Sequence, residues 1–127
     1  MLIAMVALVA VTALSGGTRA AEPERCSLGD RYPVQSVTPY VTFEDAGYTT
    51  YNQLRGAELI VPAQPGLTRE WLQRVLAHQV ATGACDLGAH NVAVTVLPAG
   101  AAFSVRLSGS DDNAAKLILS HARELVK

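Results

Sequence analysis

Residues 57–83 read AELIVPAQPGLTREWLQRVLAHQVATG. The first five, Ala57 to Val61, are a short apolar run that ends at Pro62, Pro65 and Gly66. Such a run between turn residues predicts a core strand. After it the period changes. Thr68 is placed to cap a helix, because its hydroxyl can accept a free amide of the first turn. Leu67 before it and Leu72 after it have the spacing of a hydrophobic staple. Trp71, Leu72, Val75, Leu76 and Val80 recur at helical spacing and define one apolar face, and Gly83 is a natural stop. Gln79 falls inside that face as a local flaw.

Working outward, the next segments alternate. Val92, Val94 and Val96 alternate with Ala93 and Thr95, and Ala101, Phe103, Val105 and Leu107 with Ser104 and Arg106. Between them Leu97-Pro98-Ala99-Gly100 predicts a hairpin with a three-residue turn and a bulge. The alternation predicts one buried and one wet face. A last helix follows, capped by Ser110, with Asp111 and Asp112 in the favourable field of its N-terminus. Ala114, Leu117, Ile118, Ala122 and Leu125 make its expected inner face. Upstream, Val37 to Phe43 is rich in β-formers but holds Pro39, which predicts an edge strand. Asp45-Ala46-Gly47 signals a turn, and Tyr48 to Tyr51 begins a second strand or lies over the sheet.

The order is strand, helix, strand, strand, helix, with a further N-terminal strand. It predicts an α+β fold: a small two-layer sandwich with a three- to four-stranded mixed sheet and two helices on one face. The pattern is that of a ferredoxin-like variant whose last strand is replaced by an N-terminal one. Its first crossover is expected to be right-handed.

The chain of 127 residues opens with thirteen uncharged positions, Leu2 to Leu14. A helix of thirteen residues rises only about 20 Å, short of the roughly 30 Å hydrocarbon core. The run fits the apolar region of a signal peptide better than a membrane span. Ser15-Gly16-Gly17 then breaks it, and Thr18-Arg19-Ala20 offers small residues for cleavage after Ala20. The absence of a Lys or Arg before the run and the presence of Arg19 beside the cut fit poorly. An uncleaved anchor and a buried core helix are the alternatives. The expected organisation is a signal peptide over residues 1–20, an N-terminal arm with an edge strand over 21–47, and an α+β core over 48–127.

Export sets the redox compartment. Cys26 and Cys85 are the only cysteines, and an even count in an oxidising space reads as a disulfide. Charge narrows the partners. The formal net charge is −1, with no basic cluster, so neither nucleic acid nor an anionic membrane surface is an expected partner.

Candidate chemistry is sparse. His78, His121 and His90 could bind zinc or copper if the helices lie side by side, though no pair has ligand spacing. Asp111-Asp112-Asn113 lacks the spacing of a calcium loop, and capping explains it. Ser108-Gly109-Ser110 opens a helix where an anion could sit, but the two following acids oppose one. Ser120 and His121 diverge on a helix and make no nucleophile–base pair. No catalytic residue is identified for a hydrolase or isomerase, and no cofactor is implied. Tyr32, Tyr40, Tyr48 and Tyr51 gather in the N-terminal third. They suit either a contact surface or ordinary cross-strand pairing. The expectation is a non-catalytic exported module, periplasmic or secreted, binding an envelope protein or surface component. A small metal-binding envelope protein is the alternative.

Overall fold

The strand that begins at Ala57 in the sequence pattern begins earlier in the molecule. The computed structural model describes residues 25–126, so the leader lies outside the described residues. Strand β1 is Ser36–Ala46 and strand β2 is Thr49–Pro62. The candidate second strand at Tyr48–Tyr51 and the core strand at Ala57–Val61 are thus one element of fourteen residues. Ala46 pairs with Thr49 across a two-residue turn in which Gly47 has φ 81°. That left-handed position suits the natural twist of a hairpin and is open to glycine at little cost.

Helix α1, Arg69–Thr82, follows the loop at Pro62–Gly66. Thr68 caps it as the sequence predicts, accepting from the Trp71 amide at 3.1 Å, and Gly83 ends it at φ 86°. Leu72, Leu76 and Gln79 face inward. Trp71 does not, being 52% exposed. It precedes Leu72 by one residue, which turns it about 100° around the axis and away from the sheet.

Strands β3 (Ala93–Ala99) and β4 (Ala102–Ser108) form the expected hairpin. The turn is two residues, Gly100 and Ala101, and Pro98 lies within β3, not in the turn. β3 is an edge strand, where a missing N–H breaks no ladder bond. Helix α2, Asp112–Arg123, is capped by Asp111 and not Ser110, with Oδ1 accepting from the Ala114 amide at 2.7 Å. Its inner face is Ala114, Ala115, Ile118, Leu119 and Ala122, while Leu117 points outward.

The sheet order is β1-β2-β4-β3, and every neighbouring pair is antiparallel. The expected mixed sheet has no parallel pair. β2 and β3 do run in the same direction, but β4 is inserted between them. This order is compatible with the ferredoxin-like arrangement, β1 taking the edge beside β2. α2 packs mainly on β2 and α1 on β3. Ala57, Leu59 and Val61 of β2, Val105 and Leu107 of β4 and Val96 of β3 meet both helices in one core.

The two helices have no substantial contact with each other. Residues of the arm join the core instead: Leu28, Tyr32 and Val34 are buried. The arm is tied to the loop that follows α1 by the Cys26–Cys85 disulfide, whose Cα atoms are 4.7 Å apart. Beside it Gln79 is 3% exposed, accepts from the Ser27 amide at 2.8 Å and donates to the Ser27 hydroxyl at 2.9 Å. The flaw in the apolar face is the arm's polar anchor. Toward α2, Gly29 passes so close to Leu125 that a Cβ would lie 3.3 Å from its carbonyl oxygen.

The outer edge of β3 is covered. Gln73 of α1 accepts from the Val96 amide at 2.7 Å and donates to the Val94 carbonyl at 2.8 Å. Arg69 donates to the Val96 carbonyl at 3.3 Å. Covering an edge in this way prevents another chain from pairing with it.

Replacing both cysteines by alanine is expected to lower stability by about 4 kcal/mol, the loop-closure value for roughly 60 residues. Gln79→Leu, with the disulfide intact, strands the Ser27 amide donor and leaves the Ser27 hydroxyl without the donor it accepts from, and is expected to cost about 1–3 kcal/mol. Urea unfolding of each variant measures both effects. Gln73→Ala opens the β3 edge and is expected to cost about 1–3 kcal/mol while raising the aggregation rate, followed by light scattering.

Candidate interaction surface

β2 is longer than its neighbour on the inner side. It pairs with β4 only from Gly56 to Pro62, whereas its pairing with β1 reaches from Ile60 back to Thr49, interrupted only at Arg55. The part from Thr49 to Arg55 therefore leaves the sheet with the end of β1 as a two-stranded ribbon. A ribbon outside the sheet has no helix to bury its side chains. Phe43 is 75% exposed and Tyr51 48%, and Tyr48 in the turn is fully exposed.

The face of the sheet away from the helices continues onto this ribbon. On the sheet, Glu58 of β2 lies opposite Arg106 of β4. One Glu58 oxygen, Oε2, accepts from Arg106 Nε at 2.8 Å and from the Ser104 hydroxyl at 2.8 Å. The Arg106 guanidinium lies over the Tyr40 ring, 5.1 Å from its centre, a cation–π contact. On the ribbon, Arg55 makes a second ion pair with Glu44 at 2.6 Å and donates to the Thr42 hydroxyl at 3.0 Å. Tyr51 donates to the other Glu44 oxygen at 2.9 Å. The surface is thus a continuous row of charged and aromatic groups held by one another.

The row shifts its titrations in consistent directions. The hydrogen bonds from Arg106 and Ser104 lower the Glu58 pKa, and the same pairing raises that of Arg106. Tyr51 is raised, first by its hydrogen bond to Glu44 and then by that carboxylate's charge.

The four tyrosines of the sequence divide. Tyr32 is 5% exposed and belongs to the core, so it is withdrawn from the candidate surface. Its burial follows from the arm joining the core together with Leu28 and Val34. Tyr40 is half-buried beneath Arg106, and Tyr48 and Tyr51 are exposed on the ribbon. Arg55, Glu58 and Arg106 are the members that residue type alone did not single out, and Phe43 lies on the opposite face of the ribbon. Alternation marks Arg106 as an outer-face residue, but only the strand register puts Glu58 opposite it.

The histidines do not gather. His78 is exposed on α1, His90 is exposed in the loop before β3, and His121 on α2 is half-buried against that loop. A Cβ on Gly88 would lie 2.7 Å from His121 Nε2. The two helices make little backbone contact with each other, α2 sitting mainly on β2 and α1 on β3. Among the described residues no three His, Cys, Asp or Glu side chains cluster to hold a metal ion. Cys85 is in the disulfide and offers no thiolate. A hollow of about 820 Å³ borders the loop from Val80 to Val92. Within it the Asp86 carboxylate accepts from the Gly88 amide at 2.9 Å.

The disulfide points to a non-reducing, extracytoplasmic environment. Among the described residues no helix is long and apolar enough to cross a membrane.

A lowered carboxylate pKa contributes stability above the ordinary carboxylate range and loses it as pH falls through the lowered value. Glu58→Gln is therefore expected to reduce stability at neutral pH and to flatten the acid limb of the stability–pH curve. Urea unfolding from neutral to acid pH reads both. A curve parallel to that of the unsubstituted protein contradicts this assignment.

No family model, no curated protein and no solved structure matches this chain, so its surface is interpreted from its own chemistry.

Proposed function

We propose that this chain is a non-catalytic interaction module, periplasmic or secreted, that binds an envelope protein or surface component. The contact is the outer sheet face together with the projecting ribbon. The observation that carries this reading is the exposure of Phe43, Tyr48 and Tyr51 on the projecting ribbon. Tyrosine brings large contact area with few torsions to immobilise. The ion pairs beside it, Glu44–Arg55 and Glu58–Arg106, fix the polar rim before a partner arrives. Preorganised groups lower the ordering cost of association. Export is supported by the thirteen uncharged residues from Leu2 to Leu14 and by the disulfide.

The test is site-specific photocrosslinking in the cell that makes the protein. A photoreactive residue at Tyr48 is expected to capture a discrete partner, and one at Lys116, exposed on α2, is not. Tyr51→Ala with Arg106→Glu is expected to reduce the Tyr48 adduct at least tenfold. Equal capture from both positions, or none from Tyr48, defeats the proposal. Intact-mass analysis of the exported protein is expected to show a chain beginning at Ala21 and two hydrogens lighter than the reduced form.

A further inference from the structure

We propose that β1 is the interface of a symmetric dimer, its free edge pairing antiparallel with the same edge of a second copy. The two edges of the sheet are treated differently. That of β3 is sealed by Gln73 and Arg69, as described above. On β1, no strand among the described residues pairs with the outer side.

The backbone register identifies which groups are offered. In an antiparallel ladder, successive residues bond alternately to one side and the other. The Gly109 amide donates to the Arg55 carbonyl, which sets the odd residues of β2 toward β4. Glu58 and Ile60 then face β1, and their partners Thr38 and Ser36 face back. Val37, Pro39, Val41, Phe43 and Asp45 therefore direct their peptide groups outward. Of these five, only Pro39 lacks a donor.

The occupant is argued from self-complementarity. β1 has eleven residues, so pairing over its full length places the twofold axis at Val41. Thr42 then lies opposite Tyr40 of the second copy, Phe43 opposite Pro39, Glu44 opposite Thr38 and Asp45 opposite Val37. Neither acid meets an acid, whereas an axis at Glu44 would oppose like charges, which is destabilising. The same register sets the exposed ring of Phe43 against the Pro39 ring of the other copy. The result is one eight-stranded sheet about two domains wide, with the Tyr48 turns left free. Phe43 is thereby taken from the surface proposed above, which keeps Tyr48, Tyr51 and the outer sheet face.

The axis supplies a sharp test. Residue 41 faces itself, so Val41→Lys and Val41→Asp each place like charges in contact, and a mixture of the two places opposite charges there. The disulfide-intact protein is expected to sediment at twice the chain mass at micromolar concentration. Each variant is expected to sediment at one chain mass, and the equimolar mixture to return to twice that mass with one copy of each, read by native mass spectrometry. Rescue by mixing cannot arise from a folding defect. Tyr48→Ala, which disables the proposed partner surface, is expected to leave the dimer intact. A monomeric unsubstituted protein, a Val41→Lys variant that remains dimeric, or a mixture that stays monomeric overturns the inference.

Discussion

The fold depends on how the N-terminal arm is held. Two helices lie on one face of a four-stranded sheet, yet the backbone contact between them is slight. Leu28, Tyr32 and Val34 complete the apolar layer. An arm without regular structure loses much backbone entropy when fixed, roughly 1–2 kcal/mol per residue. Two ties at one place oppose that loss. The disulfide removes open conformations from the unfolded chain, and the Ser27–Gln79 pair fixes the orientation of the arm in the folded one. A buried glutamine with both ends engaged is specific in a way that a leucine there is not.

A two-layer sandwich with helices on one side leaves the other side of its sheet to solvent. The chain meets this by filling the outer face with groups that bind one another. Glu58 accepts from Arg106 and Ser104, and Arg106 covers Tyr40. Ser104 is only 6% exposed, although it points away from the core. Side chains around it form a thin polar layer in place of a second apolar one. Such a layer keeps the sheet soluble and, by fixing charges in a defined pattern, makes it a surface with a shape.

What the sequence makes legible follows from burial. The helix after Thr68 and the hairpin around Gly100 are readable because each buries one face, which imposes its period on the residues. The sheet position of the N-terminal strand is suggested by Pro39 at an edge. Where burial is absent, the pattern fades. Asn52 to Gly56 carry no strand signal of their own because a ribbon outside the sheet needs no apolar alternation. Tyr32 reads as a surface residue because an irregular arm has no period that would mark it as core. Gln79 reads as a defect until Ser27 is placed beside it. The partners Arg106–Glu58 and Arg55–Glu44 are separated by many residues, and strand register, which the sequence does not display, brings them together. The assignment of caps fails more narrowly: Ser110 and Asp111 both suit the position, and the structure uses the carboxylate.

One local irregularity joins these parts. Between Tyr40 and Val41 the β1–β2 register shifts, leaving Arg55 as an extra residue on β2. Side chains alternate along a strand, so an inserted residue exchanges the two faces beyond it. On the sheet side of the bulge the odd residues Ala57, Leu59 and Val61 face the helices. On the ribbon side Leu54 takes that role, and Gln53 and Tyr51 turn to the outer face. Without the bulge, Tyr51 would project on the helix side and could not reach Glu44, which lies on the outer face with Thr42 and Tyr40. Gly56 makes room for the distortion, since a Cβ there would run into the Leu107 carbonyl of β4. The continuity of the outer surface from Arg106 to the tip of the ribbon is therefore a consequence of one additional residue and the glycine that follows it.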